Sequence, residues 1–147
     1  MENIKNLRSV QLELTCRCNE RCVHCYIPHE AKDRDMDSAL LFALIDQCQT
    51  MGVGQIIFSG DEPMLHPGFL EAVSKADWKE LKLRIFSNLT LLTDNILAAL
   101  KAFHIHEVQA SLYSVEPAIH DSITQKPGSC ELTKNAVVKL VESGIRV

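Results

Sequence analysis

Four short apolar segments, each followed by a stretch long enough for a helix, constrain this chain more than any other feature. Val10 to Thr15 alternates, with Val10, Leu12 and Leu14 on one face and Gln11, Glu13 and Thr15 on the other, which predicts a strand. Asp37 is placed to cap a helix running to about Met51, whose apolar stripe is Leu41, Leu44, Ile45 and Cys48. Gly52 and Gly54 end it. Gln55 to Ser59 reads as a short buried strand, Gly60 to Pro63 as a turn, and His66-Pro67-Gly68 as the opening of a short helix through about Lys75. A third strand spans Leu81 to Ser87, and Thr93 or Asp94 caps a third helix to about Phe103. A fourth strand is expected over Glu107 to Tyr113. A partly irregular stretch, Ser114 to Gly128, then leads to a fourth helix from about Cys130 to Ser143, capped by Gly144. Ile145 to Val147 reads as the beginning of a fifth strand.

Each connection between strands is long enough for a right-handed crossover, so the sheet should be parallel and the fold class α/β. No linker or repeat divides residues 1–147, which are expected to form one incomplete domain, stopped after about four β-α units. A fourth strand with an unpaired edge would carry Val108, Ala110 and Leu112, and such an edge predicts self-association or cover by a longer partner.

Apolar residues make up 46% of the 147 and charged residues 23%, as in an ordinary globular domain. The formal charge of −4 argues against nucleic acid as a partner, since phosphate binding needs clustered Lys and Arg. No apolar run reaches the roughly 18 residues of a membrane helix. Met1 to Lys5 does not begin a signal peptide, so a cytoplasmic protein is expected.

In a reducing compartment the six cysteines point to metal or redox chemistry rather than disulfides. Cys48 and Cys130 stand alone in helical patterns and read as small buried hydrophobes. The others, Cys16, Cys18, Cys22 and Cys25, lie within ten residues. Cys18-x3-Cys22-x2-Cys25 can supply three thiolates from one loop to a [4Fe-4S] cluster, leaving the fourth iron open to a non-protein ligand. Cys16 ends the first strand on the face of Leu12 and Leu14, so alternation should turn it toward the helices and away from the loop. Zinc is the competing reading, with His24 and His29 nearby, but it lacks a second Cys-x2-Cys knuckle.

The segment LTCRCNERCVHCY, Leu14 to Tyr26, resembles the signature loop of the radical S-adenosylmethionine (SAM) superfamily. The resemblance covers the whole chain. FSGDEPMLHP (Phe58 to Pro67) is similar to the family's Gly-Gly-Glu-Pro segment, and FSNLTLLTD (Phe86 to Asp94) to its Thr-Asn-Gly-Thr-Leu-Leu-like segment. Val108 to Ser129 looks like its fourth strand and following helix. The chain looks most like the peptide-modifying maturases, the SPASM or twitch type.

The resemblance implies a parallel partial (β/α) barrel and an oxidoreductase-like activity. Cys18, Cys22 and Cys25 would ligate the [4Fe-4S] cluster. Reductive cleavage of SAM would give a 5′-deoxyadenosyl radical that modifies a peptide or protein substrate. A flavodoxin or ferredoxin would donate the electron. The family's SAM contacts fall on His24 for adenine, on Gly60, Asp61 and Glu62 for the methionine ammonium, and on Asn88 and Ser111 for the carboxylate or ribose. A charged side chain beside a Pro turn at a strand end, as Glu62 is, should be exposed to the site. His66 reads as a turn residue, and His120-Asp121 as a helix-start pair. The sequence departs from the family at Asp61 and Leu89, which stand where glycine is common. Two further functions stay open on the residues alone. One is a non-catalytic iron-sulfur-binding fragment or degenerate homologue acting as a binding or assembly module; the other is a zinc-stabilised interaction domain.

Overall fold

The structure, a computed structural model, describes residues 7–27 and 33–147. His29 and the Met1 to Lys5 segment lie outside the described residues. Four strands form one parallel sheet in the order β1-β2-β3-β4: β1 (Ser9–Thr15), β2 (Gln55–Gly60), β3 (Lys82–Ser87) and β4 (Ile105–Ala110). The helices are α1 (Ser38–Thr50), α2 (Phe69–Trp78), α3 (Asp94–Ala102), α4 (Pro117–Thr124) and α5 (Ser129–Glu142), with a short 3-10 turn at Pro63–Leu65. The parallel α/β order is the one that the alternating segments predict, and the partial barrel is the form that the family resemblance implies.

The alternation of each strand divides the sheet into two unlike faces. Leu12, Leu14, Ile56, Phe58, Leu83, Ile85 and Val108 are buried in one core with Leu41 and Ile45 of α1 and Val73 of α2. The other face carries polar side chains that pair across strands. Gln11 Nε2 donates to Ser59 Oγ at 2.7 Å, and Arg84 meets Glu107 at 2.9 Å while its guanidinium lies 5.5 Å over the Phe86 ring. Parallel sheets usually bury both faces, so this open polar face sets the concave side of the partial barrel apart from the core.

Cys48 and Cys130 are buried, as their helical settings suggested. Asp37 caps α1 by accepting the Leu40 N–H at 2.9 Å, and Thr93 caps α3 by accepting that of Ile96 at 3.2 Å. Four expectations need correction. First, a bulge between Glu13 and Thr15 breaks the alternation of β1, so Leu14 and Thr15 are both buried and the parity argument for Cys16 lapses. Second, β4 begins at Ile105 and ends at Ala110, which pairs with Ser87, the last residue of β3. Ser111 and Tyr113 therefore lie beyond the strand. Third, the stretch after β4 contains α4, started by Pro117 and stopped by Gln125 at φ 55°. His120 sits within that helix, fully buried, and Asp121 caps the next one. Its Oδ2 accepts the Gly128 N–H at 2.6 Å and its Oδ1 that of Cys130 at 2.9 Å. Fourth, Ile145–Val147 is not a strand, although the Val108 N–H donates to Arg146 O at 2.8 Å along the edge of β4.

Candidate functional site

Two turns at the C-terminal ends of the strands meet the cysteine loop. The first follows β2. Gly60 pairs with Thr15 in the ladder and holds φ at 106°. A Cβ there would stand 2.4 Å from Thr15 O, so only glycine fits. The Asp61 N–H then donates to Thr15 O and the Glu62 N–H to Arg17 O, both at 3.0 Å, fastening this turn to the start of the cysteine loop. Asp61 is outside the positive-φ region, so its replacement of a family glycine strains nothing.

Glu62 is fully buried rather than exposed to the site, because its carboxylate closes the gap between the ends of β2 and β3. Oε1 accepts from Met64 N–H at 3.1 Å and Ser87 Oγ at 2.9 Å, and Oε2 from Asn88 N–H at 2.9 Å. Burial outweighs these donors and pushes the Glu62 carboxyl up to about 7. A carboxyl whose pKa is higher folded than unfolded favours folding at acid pH and loses that advantage as pH rises through the folded value. The shift from 4.5 to about 7 corresponds to about 3 kcal/mol. Between pH 4.5 and pH 8 the wild type should therefore lose about 3 kcal/mol more stability than Glu62→Gln. Urea unfolding of both proteins at the two pH values checks this, and parallel pH dependences would refute it.

The second turn follows β3. Ser87 Oγ accepts the Leu89 N–H at 2.9 Å, and Leu89 holds φ at 62° while buried in the core. The left-handed backbone explains why glycine is common here in the family that the sequence resembles. In this chain core packing by the leucine offsets a strain of roughly 1 kcal/mol.

The cysteine loop is braced at both ends. Arg17 grips Asp35 with Nε and Nη2, at 2.9 and 2.8 Å, and also reaches Leu65 O at 2.6 Å. Farther along, the Arg21 and Val23 N–H groups donate to Thr124 O and Ile123 O at the end of α4, at 3.0 and 2.9 Å. Between the braces, Cys18, Cys22 and Cys25 line one cavity of about 250 Å³. His24, Gly60, Asp61, Asn88 and Ser111 line it too, and Cys16 does not. Of the residues that sequence reasoning placed at the site, only Glu62 stands behind the cavity wall.

Burial pushes the Cys18 thiol up to about 11 and the Cys22 thiol up to about 12, so both are protonated at neutral pH until a metal displaces the proton. Cys18 Sγ accepts the Glu20 N–H at 3.4 Å, and Cys22 Sγ lies 3.6 Å from Glu20 Oε2. Among the described residues no three Cys, His, Asp or Glu side chains close on a single metal ion. Three thiols lining one cavity are the donor set that a cube held by three protein ligands requires.

Five residues that line the cavity, Glu20, Tyr26, Phe86, Ser87 and Tyr113, are not found from the sequence, and two of them stand out. Tyr113 lines the cavity with its ring edge-on to His24, centroids 4.7 Å apart, and stacks on His120 at 5.6 Å. The sequence predicts a strand through Tyr113, but β4 ends at Ala110, which leaves Tyr113 outside the ladder. Glu20 is 4% exposed, and burial raises its pKa. An acidic residue between two cysteines of such a loop was the signal for it.

The Radical SAM superfamily profile matches residues 12–147. The tungsten-containing aldehyde ferredoxin oxidoreductase cofactor-modifying protein of Pyrococcus furiosus is 31% identical over 139 residues, which is 92% of this chain and 39% of that protein. The PqqA peptide cyclase of Gluconobacter oxydans is 35% identical over 144 residues, 93% of this chain and 39% of the cyclase. The chain thus spans about two fifths of the length of these relatives. In fold it is similar to the crystal structure of Streptococcus suis SuiB bound to precursor peptide SuiA, with a TM-score of 0.75 at 14% identity over 95% of this chain and 37% of SuiB. It is also similar to anSMEcpe with bound AdoMet and the Kp18Cys peptide, with a TM-score of 0.78 at 15% identity, over 94% of this chain and 41% of the other.

Proposed function

The chain belongs to the radical SAM superfamily, and on that premise we propose that it binds a [4Fe-4S] cluster and SAM at the C-terminal ends of its strands, as the N-terminal part of a radical SAM core that modifies a peptide or protein. The observation that carries this reading is the convergence of three thiols and the Gly60 turn on one cavity. Cys18, Cys22 and Cys25 hold the cluster. When bound it supplies the electron, taken from a flavodoxin- or ferredoxin-like donor, that splits SAM to methionine and a 5′-deoxyadenosyl radical. The protein positions the reacting groups.

The residues around the thiols divide the task of holding SAM. The backbone of Gly60 and Asp61 faces the methionine ammonium, and the Asp61 carboxylate adds negative charge on that side. His24, set edge-on to Tyr113, offers a ring face to adenine. Ser111, just past β4, reaches the ribose. Support for a peptide substrate comes from the relatives, which include PqqA peptide cyclases, and from the open polar face beneath the cavity.

The test is anaerobic reconstitution of the chain with iron and sulfide, followed by chemical reduction in the presence of SAM. SAM should alter the electron paramagnetic resonance (EPR) spectrum of the reduced cluster, and 5′-deoxyadenosine should appear. A brown, reducible protein whose spectrum ignores SAM would mean a non-catalytic iron-sulfur module instead. A colourless protein that takes up zinc would remove both readings.

A further inference from the structure

We propose that Asn88 is a positioning residue for the cluster rather than a SAM ligand, fixing Cys18 by an N–H···S hydrogen bond that holds the reduction potential up. The inference rests on the reading of the cysteine loop as a cluster site. Asn88 is 6% exposed and stands where the turn after β3 meets the cysteine loop.

Every polar group of this residue is engaged inside the protein. Its main-chain N–H donates to Glu62 Oε2 at 2.9 Å, and its carbonyl accepts from Thr133 Oγ1 at 2.8 Å. Side-chain Oδ1 accepts the Thr90 N–H at 2.9 Å and the Thr90 hydroxyl at 2.8 Å. A backbone N–H can only donate, so the oxygen of the amide must face Thr90. That fixes Nδ2 on the cysteine side, where it donates to Asn19 Oδ1 at 2.9 Å and approaches Cys18 Sγ at 3.8 Å. Thr90 is itself anchored by Asn19 Nδ2 at 2.7 Å and Lys126 Nζ at 3.1 Å. The amide therefore cannot swing toward a ligand without breaking several bonds at once. With the Glu20 N–H at 3.4 Å, two donors converge on Cys18 Sγ.

Hydrogen bonds to cluster sulfurs set the potential. Reduction adds one electron to the cluster, breaks no bond, and raises electron density on the thiolate sulfurs. An N–H aimed at Cys18 Sγ stabilises that density, so it favours the reduced state. Through its own N–H, Asn88 also links this sulfur to the buried Glu62 behind the Gly60 turn.

The full chain, reconstituted with iron and sulfide, would be titrated with dithionite and followed by EPR. Asn88→Ala should show a more negative midpoint than the wild type. Asn19→Ala, which leaves the Nδ2–Sγ contact in place, should show no such shift. An independent measurement uses wild-type protein whose asparagines carry 15N only in the side-chain amide. Pulsed EPR of the reduced cluster should detect one coupled 15N, which Asn19→Ala retains. An unchanged midpoint in Asn88→Ala at full iron content, or no 15N coupling in the wild type, would overturn the proposal. If Asn88→Ala takes up no iron, the wild-type coupling alone decides. Failure of the wild type to assemble a cluster would refute the site reading instead.

Discussion

Alanine at Cys18, Cys22 or Cys25 should each reduce bound iron from about four per reconstituted chain to near zero, while alanine at Cys16 should leave it unchanged. A cube held by three thiolates has one protein ligand per bound corner and no spare, so losing any one of them frees an iron to solvent and the assembly dissolves. Cys16 lies close in sequence, but its structural tie is through the backbone, whose N–H donates to Arg34 O at 2.7 Å. Its side chain is outside the group that lines the cavity. Removing one partly exposed thiol should change the stability of the metal-free fold by about 1 kcal/mol or less. Loss of iron with an unchanged circular dichroism spectrum thus reports ligation and not unfolding. Iron loss in Cys16→Ala as complete as in the other three would make it a ligand and displace one of those assigned.

What the sequence disclosed, and what it hid, follows from the range of the forces involved. Asp37 and Thr93 were readable as caps because an N-cap satisfies N–H groups two or three residues away. The three-cysteine loop was readable for the same reason, since its spacing alone brings the thiols to one side of a short loop. Cys16 shows the limit. Its orientation was argued from strand parity, and the bulge before Thr15 removed that argument while the exclusion from the cavity arose from elsewhere. A bulge depends on the partner strand: Thr15 pairs with Gly60 and bonds Asp35 through Oγ1 at 2.6 Å, neither of them local.

Glu62 was misread because its motif speaks for function while its burial depends on Ser87 and Asn88, about 25 residues later in the chain. The carboxylate closes a gap that exists only after β2 and β3 pair. Asn88 is tied in the same non-local way: its five partners, Cys18, Asn19, Glu62, Thr90 and Thr133, come from four separate places in the chain. A resemblance could place both residues at the cavity. Only the hydrogen-bond inventory could show which of their atoms were already taken.

Gly60→Ala should destabilise the protein by about 4 kcal/mol, against about 1 kcal/mol for Gly128→Ala. Both glycines hold positive φ, 106° and 81°, so both substitutions carry backbone strain. They differ in what a methyl group meets. At Gly128 there is nothing within 4 Å, whereas at Gly60 the Cβ would fall 2.4 Å from Thr15 O and 3.1 Å from Thr15 N. Those atoms belong to the neighbouring strand, so no side chain can yield and β1 must separate from β2. The Asp61 and Glu62 amides would then lose Thr15 O and Arg17 O, at about 1 kcal/mol for each bond. The cost falls on a turn that fastens the start of the cysteine loop to the sheet, so iron uptake should fail together with stability. Urea unfolding of the two variants, with iron uptake measured alongside, separates strain from contact. Equal losses at Gly60 and Gly128 would show that φ alone decides, and that the close approach of β1 to the turn carries no weight.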